Sequence, residues 1–209
     1  MLRRISESGH RVGSAYALTT FARVQDGRAD ELEAYLGALP VGPDSPFARI
    51  DTLHIARVQL FRALVHQGPD QTKRDELQHT HLVFTSTIDG DLEPYVEALR
   101  KRVPECDQWW GRCVGYPGRT QAGAFLGWVR SIQARPGLFR SALPNATVHE
   151  VRHALALRER VIDFAVEAQG LSAAELHERF KGEFRPGGLD SLEEPARGAP
   201  SSAAARARR

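Results

Sequence analysis

Glu31-Leu-Glu-Ala-Tyr-Leu-Gly-Ala-Leu39 and Asp91-Leu-Glu-Pro-Tyr-Val-Glu-Ala-Leu99 are one pattern written twice, at an offset of 60 residues. Five of the nine positions are identical: Leu32/Leu92, Glu33/Glu93, Tyr35/Tyr95, Ala38/Ala98 and Leu39/Leu99. In each copy the large apolar residues recur at three and four, the spacing of one helical face. The helices predicted from them are Asp30–Leu39, ended by Pro40, and Leu92–Val103, ended by Pro104. Each is preceded by turn residues, Gln25-Asp26-Gly27-Arg28 and Asp89-Gly90-Asp91, and before the turn by a run rich in Thr, aromatic and aliphatic residues. Those runs, Tyr16–Val24 and His79–Ile88, read as strands.

Two further strands complete the pattern. Ile50–Phe61 follows the first helix across a loop containing Pro40, Gly42, Pro43 and Pro46, and Trp109–Tyr116 follows the second and is closed by Pro117-Gly118. The order is strand, helix, strand, strand, helix, strand. The fold class this implies is α+β, a ferredoxin-like βαββαβ sandwich whose two equivalent helices share one sheet face. Beyond residue 120 the pattern turns helical. Gln121–Ile132 places Phe125, Trp128, Val129 and Ile132 on one face. Thr147 with Glu150, and Ser172 with Glu175, form capping boxes that open helices running to about Gln169 and Phe180, with Gly170 between them as a C-cap. The organisation expected is a flexible lead-in over 1–14, the ferredoxin-like domain over 15–118, a helical extension packed on it over 119–182, and a disordered tail over 183–209.

Composition bounds the function. A chain of 209 residues, 42% apolar and 26% charged, fits one domain with an appendage, or at most two small domains. A net charge of +2, with Arg206, Arg208 and Arg209 at the far end, argues for neither a nucleic-acid nor a membrane partner. The aromatic signature of RNA-binding sheets is missing, and Phe21 and Phe84 are the only phenylalanines in the central strands. No phosphate-binding loop, no G-x-G-x-x-G and no G-x-S-x-G is present. Neither a signal peptide nor an apolar run near the ~20 residues of a membrane span is found, so the cytoplasm is the expected location. Cys106 and Cys113 read as free thiols.

A sheet with both helices on one face leaves the other face for a ligand, a second copy or additional helices. Alternation puts His79, His81, Val83, Thr85 and Thr87 on that face, opposite Leu82, Phe84 and Ile88. In the preceding strand Thr52, His54, Ala56 and Val58 share one face and Leu53, Ile55, Arg57 and Phe61 the other. His54, Arg57, His79, His81 and Thr85 are thereby candidates to converge on the open face. A histidine there serves as general acid or base, or as a haem or metal ligand. A separate candidate is His149-Glu150-Val151-Arg152-His153, an H-E-x-x-H pattern that on a helix would turn two histidines to a zinc ion with the glutamate as base. Glu150 also belongs to a capping box there, and the third ligand would have to come from Glu159, Glu167, Glu175 or Glu178.

Phe47-Ala-Arg-Ile-Asp-Thr-Leu-His-Ile-Ala-Arg57, Leu82-Val-Phe-Thr-Ser-Thr-Ile-Asp-Gly90 and Trp110-Gly-Arg-Cys-Val-Gly-Tyr-Pro117 resemble segments of a bacterial group of ferredoxin-like proteins. Over residues 16–117 the chain is similar in plan to the dimeric α+β-barrel superfamily. That superfamily holds chlorite-dismutase-like and dye-decolourising haem peroxidases, aldoxime dehydratases and small cofactor-free monooxygenases. The resemblance implies a homo-oligomer and an oxidative enzyme acting on a small-molecule substrate at the open sheet face, with haem as one possible cofactor. His54, Arg57 and His81 are then the catalytic candidates, His79 and Thr85 the cofactor-binding ones, and His149, Glu150 and His153 the metal ligands of a zinc-hydrolase alternative. A non-catalytic dimerising or ligand-binding module is the remaining alternative.

Overall fold

The computed structural model describes residues 9–66, 68–73 and 77–184. It divides the chain into two units, Met1–Thr147 and Val148–Arg209. The first unit is built on strands β1 (Arg11–Val12), β2 (Ala15–Arg23), β3 (Leu53–Phe61) and β4 (His81–Asp89). They form one antiparallel sheet in the order β1-β2-β4-β3. Helix α1 (Ala29–Gly37) joins β2 to β3, and α2 (Leu92–Arg102), α3 (Cys106–Trp110) and α4 (Ala122–Ser131) follow β4. The class is α+β, as expected. No helix among the described residues is long and apolar enough to cross a membrane.

The repeated pattern packs as it is written. Leu32 and Leu92 are buried at equivalent places, and Tyr95, Val96 and Leu99 on α2 are buried with half-buried Tyr35, Leu36 and Leu39 after them on the first copy. All join one apolar cluster with Tyr16, Leu18 and Ala22 of β2 and Leu82, Phe84 and Ile88 of β4. These strand residues are two apart and so share a face. Asp91, Glu93 and the Arg100-Lys101-Arg102 run complement the poles of α2. Glu97 takes Arg100 and Lys101, and Arg102 reaches Asp51.

Three parts of the sequence reading are corrected. Trp109–Tyr116 is not a strand: residues 106–110 form the short helix α3, and the chain after it is irregular. Aromatic and branched residues favour a strand when read alone. Here both tryptophans are fully buried, and one helical turn delivers both to the same core. Trp109 meets Phe47, while Trp110 meets Phe84, Phe125 and Trp128. The lead-in is not loose over its described part: Arg11–Val12 pairs with Ala15–Tyr16 about the turn Gly13-Ser14. Gly13 sits at φ 62°, and a Cβ there would lie 2.3 Å from the Pro144 carbonyl oxygen. The last helix extends past Phe180, and of the tail only Glu183 and Phe184 lie within the described residues.

The place expected for a fourth full strand, along the outer edge of β2, is filled in pieces. β1 covers one end. In the middle Phe21 N–H donates to the Ile132 carbonyl at 2.9 Å and Ala134 N–H to the Thr19 carbonyl at 2.8 Å. At the far end Val114 N–H donates to Arg23 at 2.8 Å and Gln25 N–H to Arg112 at 2.9 Å. Every piece satisfies backbone groups that an open edge would expose.

In the second unit, α5 (Val148–Glu167) starts directly after Thr147, and α6 (Ala173–Glu183) starts at the Ser172/Glu175 capping box. Gly170, at φ 84°, turns the chain between them. Phe164 packs against Phe180 and Phe184.

Two expectations follow. Trp110→Ala removes the centre of the aromatic cluster and is expected to cost about 3–5 kcal/mol in urea unfolding; a loss under about 1 kcal/mol would show that the cluster is not the core. Burial pushes the Cys106 and Cys113 thiols up to about 12 from an ordinary 9.0. Below about pH 9 both states keep these protons and the contribution is fully present. Between about pH 9 and 12 the unfolded chain loses them first, so stability falls as pH rises. The urea midpoint should drop from about pH 8 to about pH 10.5, and drop less in a Cys106→Ala/Cys113→Ala variant.

Candidate functional site

The register of the three long strands fixes which side chains meet on the face turned away from the helices. From one end to the other, the cross-strand rows are Ala17–Thr87–Ile55, Thr19–Thr85–Arg57, Phe21–Val83–Gln59 and Arg23–His81–Phe61. Beyond the first row lie Ala15 and Asp89. The helices of the first unit do not cover this face: Phe21 is 49% exposed, Ile55 59% and Phe61 38%. Val83, between Phe21 and Gln59, is buried, so this row has an apolar floor with larger side chains on either side. Arg57 and Thr85 stand directly opposite one another, as do Phe61 and His81.

His54 reaches this face by an irregularity. Simple alternation places it with Ala56 and Val58, which pair with Ser86 and Phe84 on the helix side. The register shifts between Leu53 and Ile55, so that Leu53 opposes Ile88 on the helix side and Ile55 opposes Thr87 on the open side. His54 is the extra residue of this bulge, and the bulge re-aims its side chain. His54 Nε2 lies 2.7 Å from Asp89 Oδ1, with the two side chains 23% and 12% exposed. A carboxylate oxygen can only accept, so Nε2 carries the proton and donates it. Nδ1 has no partner among the described residues. A carboxylate that fixes the ring and its tautomer, with the second nitrogen open, is the arrangement of an oriented general base.

Asp89 was not among the residues singled out from sequence, where it reads as a turn residue before Gly90. The signal was present: Asp89 continues the alternation of His81, Val83, Thr85 and Thr87, and it is the last residue of β4 rather than the first of the turn.

The expected convergence is partial. His54, Arg57, Thr85 and His81 all lie on the open side, but spread along it. His81 and Asp89 end β4, so the His54 ring and His81 are about 26 Å apart at ~3.3 Å per residue, and Arg57 with Thr85 lies midway. His54 and His81 therefore cannot act on one small molecule together. His79 precedes the strand, and its Nδ1 is 3.9 Å from Asp26 Oδ1.

A histidine that ligates a metal gives it one nitrogen and has the other held by a carboxylate or carbonyl. His54 has such a carboxylate in Asp89, on Nε2. His81 has no such partner among the described residues.

His149, Glu150 and His153 lie in the first turns of α5, with the two imidazole centroids 6.5 Å apart. Among the described residues, no group of three His, Cys, Asp or Glu is placed to hold a metal ion. The HEVRH segment presents two histidines on one helix face.

The geometry predicts the Nε2–H tautomer for the neutral His54 ring, read from long-range nitrogen–proton correlation spectra. Asp89→Asn should disturb that signature, whereas a His54 ring already in the Nδ1–H form in the parent chain would contradict the contact. The chain matches no protein-family model, no curated protein and no solved structure.

Proposed function

We propose that the chain is a small-molecule enzyme that binds its substrate on the open face of the sheet and uses His54, oriented by Asp89, to move a proton. A second copy of the chain closes over the face. The observation that carries this reading is the bulge, which brings a histidine and a buried-edge carboxylate to 2.7 Å on the one sheet face left uncovered by the helices of the first unit. An apolar floor at Val83 beside exposed Phe21, with exposed Ile55 further along the face, suits a partly apolar ligand. The order of β2, α1, β3, β4 and α2, with β4 inserted between β2 and β3, supports the ferredoxin-like reading and with it the dimeric α+β-barrel plan.

The oxidative form of the reading would use this same face. The non-catalytic dimerising module uses the face too, but a face serving only assembly gives no reason to turn His54 away from Ala56 and Val58. Within the present reading Arg57 and Thr85 contact the ligand, and His81 belongs to the far rim.

Fluorinated fragments screened by ligand-observed NMR, together with light scattering, test the proposal. The parent chain is expected to be dimeric and to bind apolar fragments. Ile55→Glu, an exposed position, should leave a folded monomer with binding weakened about tenfold or more. A parent chain that binds no fragment, or one whose binding ignores Ile55→Glu, contradicts the reading.

A further inference from the structure

Arginines in the regular elements of the first unit are almost all neutralised. Arg11 pairs with Asp91, Arg23 with Asp26, Arg49 with Glu105, Arg100 with Glu97, Arg102 with Asp51 and Arg130 with Glu93. Arg57 is the exception: among the described residues no carboxylate is within ion-pair distance of it. It stands in the middle of the open face, in the row Thr19–Thr85–Arg57. Its nearest neighbours on the same side of β3 are Ile55 and Gln59, and the next row on β4 carries Thr87. The acid on this side, Asp89, lies about 13 Å along β4 and is engaged by His54.

An arginine fork presents paired N–H donors that match a carboxylate in its plane, and hydroxyls beside it supply further donors. A cation left without a protein partner among the described residues, amid threonines, is set to receive the charge of a ligand. We infer that Arg57, with Thr85 and Thr19, is the anchor for the carboxylate of the substrate, which is therefore an organic acid with an apolar body. This rests on the reading of the open face as the binding site. The anchor and the His54–Asp89 pair are separated by about four residues of strand, ~13 Å, of which the arginine side chain spans part. The reacting carbon is accordingly placed several bonds from the carboxylate, not next to it. Ile55 and Thr87 form the floor between the two ends.

The test uses the full chain and two matched probes, 4-phenylbutyrate and its neutral amide, 4-phenylbutyramide, followed by amide chemical shifts. The inference expects both to perturb the open face, with the carboxylate bound at least about tenfold more tightly, and Arg57→Gln to abolish that difference. Arg57→Lys should recover part of it. His54→Gln should leave it intact, because that residue is at the far end. Equal binding of acid and amide to the face overturns the anchor while leaving the face as a binding site. Failure of either probe to perturb the face overturns the reading on which the anchor rests. Preference for the acid that survives Arg57→Gln places the anion elsewhere and also overturns the inference.

Discussion

A three-stranded core of β2, β4 and β3 has two faces, and the chain supplies helices with apolar sides for one of them. β4 runs between its two partners along its whole length, so its inward residues Leu82, Phe84, Ser86 and Ile88 are closed off on every side. Phe84 in particular meets Phe47 and Trp110 at once, linking the loop before β3 to α3. Once those residues are buried, alternation leaves no freedom for the others. Val83, Thr85, Thr87 and Asp89 must face the opposite side, together with whatever β2 and β3 present there. The candidate site is the consequence of how the core is packed.

That dependence explains why one irregularity carries so much. An unbroken β3 would present His54 to the helices beside Ala56, where a polar ring needs a buried partner. The bulge inserts a residue without shifting the rest of the strand, so Ala56, Val58 and Leu60 stay on the core side. The same economy is visible at the edge of β2, where β1, Ile132–Ala134 and Arg112–Val114 each take a short stretch of backbone hydrogen bonds.

Much of the first unit was legible because it obeys periods. The duplicated helix pattern gave two crossovers, and the period-two runs of β2 and β4 gave the sheet and its buried face. What stayed hidden breaks a period or depends on distant residues. Trp109-Trp110 has strand composition, but the demand to bury both rings in one core decides for a helix. Gly13 looks like a loop glycine until Pro144, far along the chain, closes over it. The bulge at His54 has no local signature, and Asp89 was obscured by the turn that follows it. Arg57 and Thr85 were readable as residues of the open face, whereas the lack of a carboxylate beside Arg57 among the described residues emerges only when every other pair is placed.

The function argued for this chain stands or falls with the open face. A crystal structure of the full chain at neutral pH is the most direct test. The face of β2, β4 and β3 is expected to be buried against a second copy, with a chamber over Thr85 and Thr87 that the His54–Asp89 pair and Arg57 both reach. A face left in solvent while the copies meet through other surfaces, or one filled completely by apolar contacts with His54 turned away from Asp89, would contradict it.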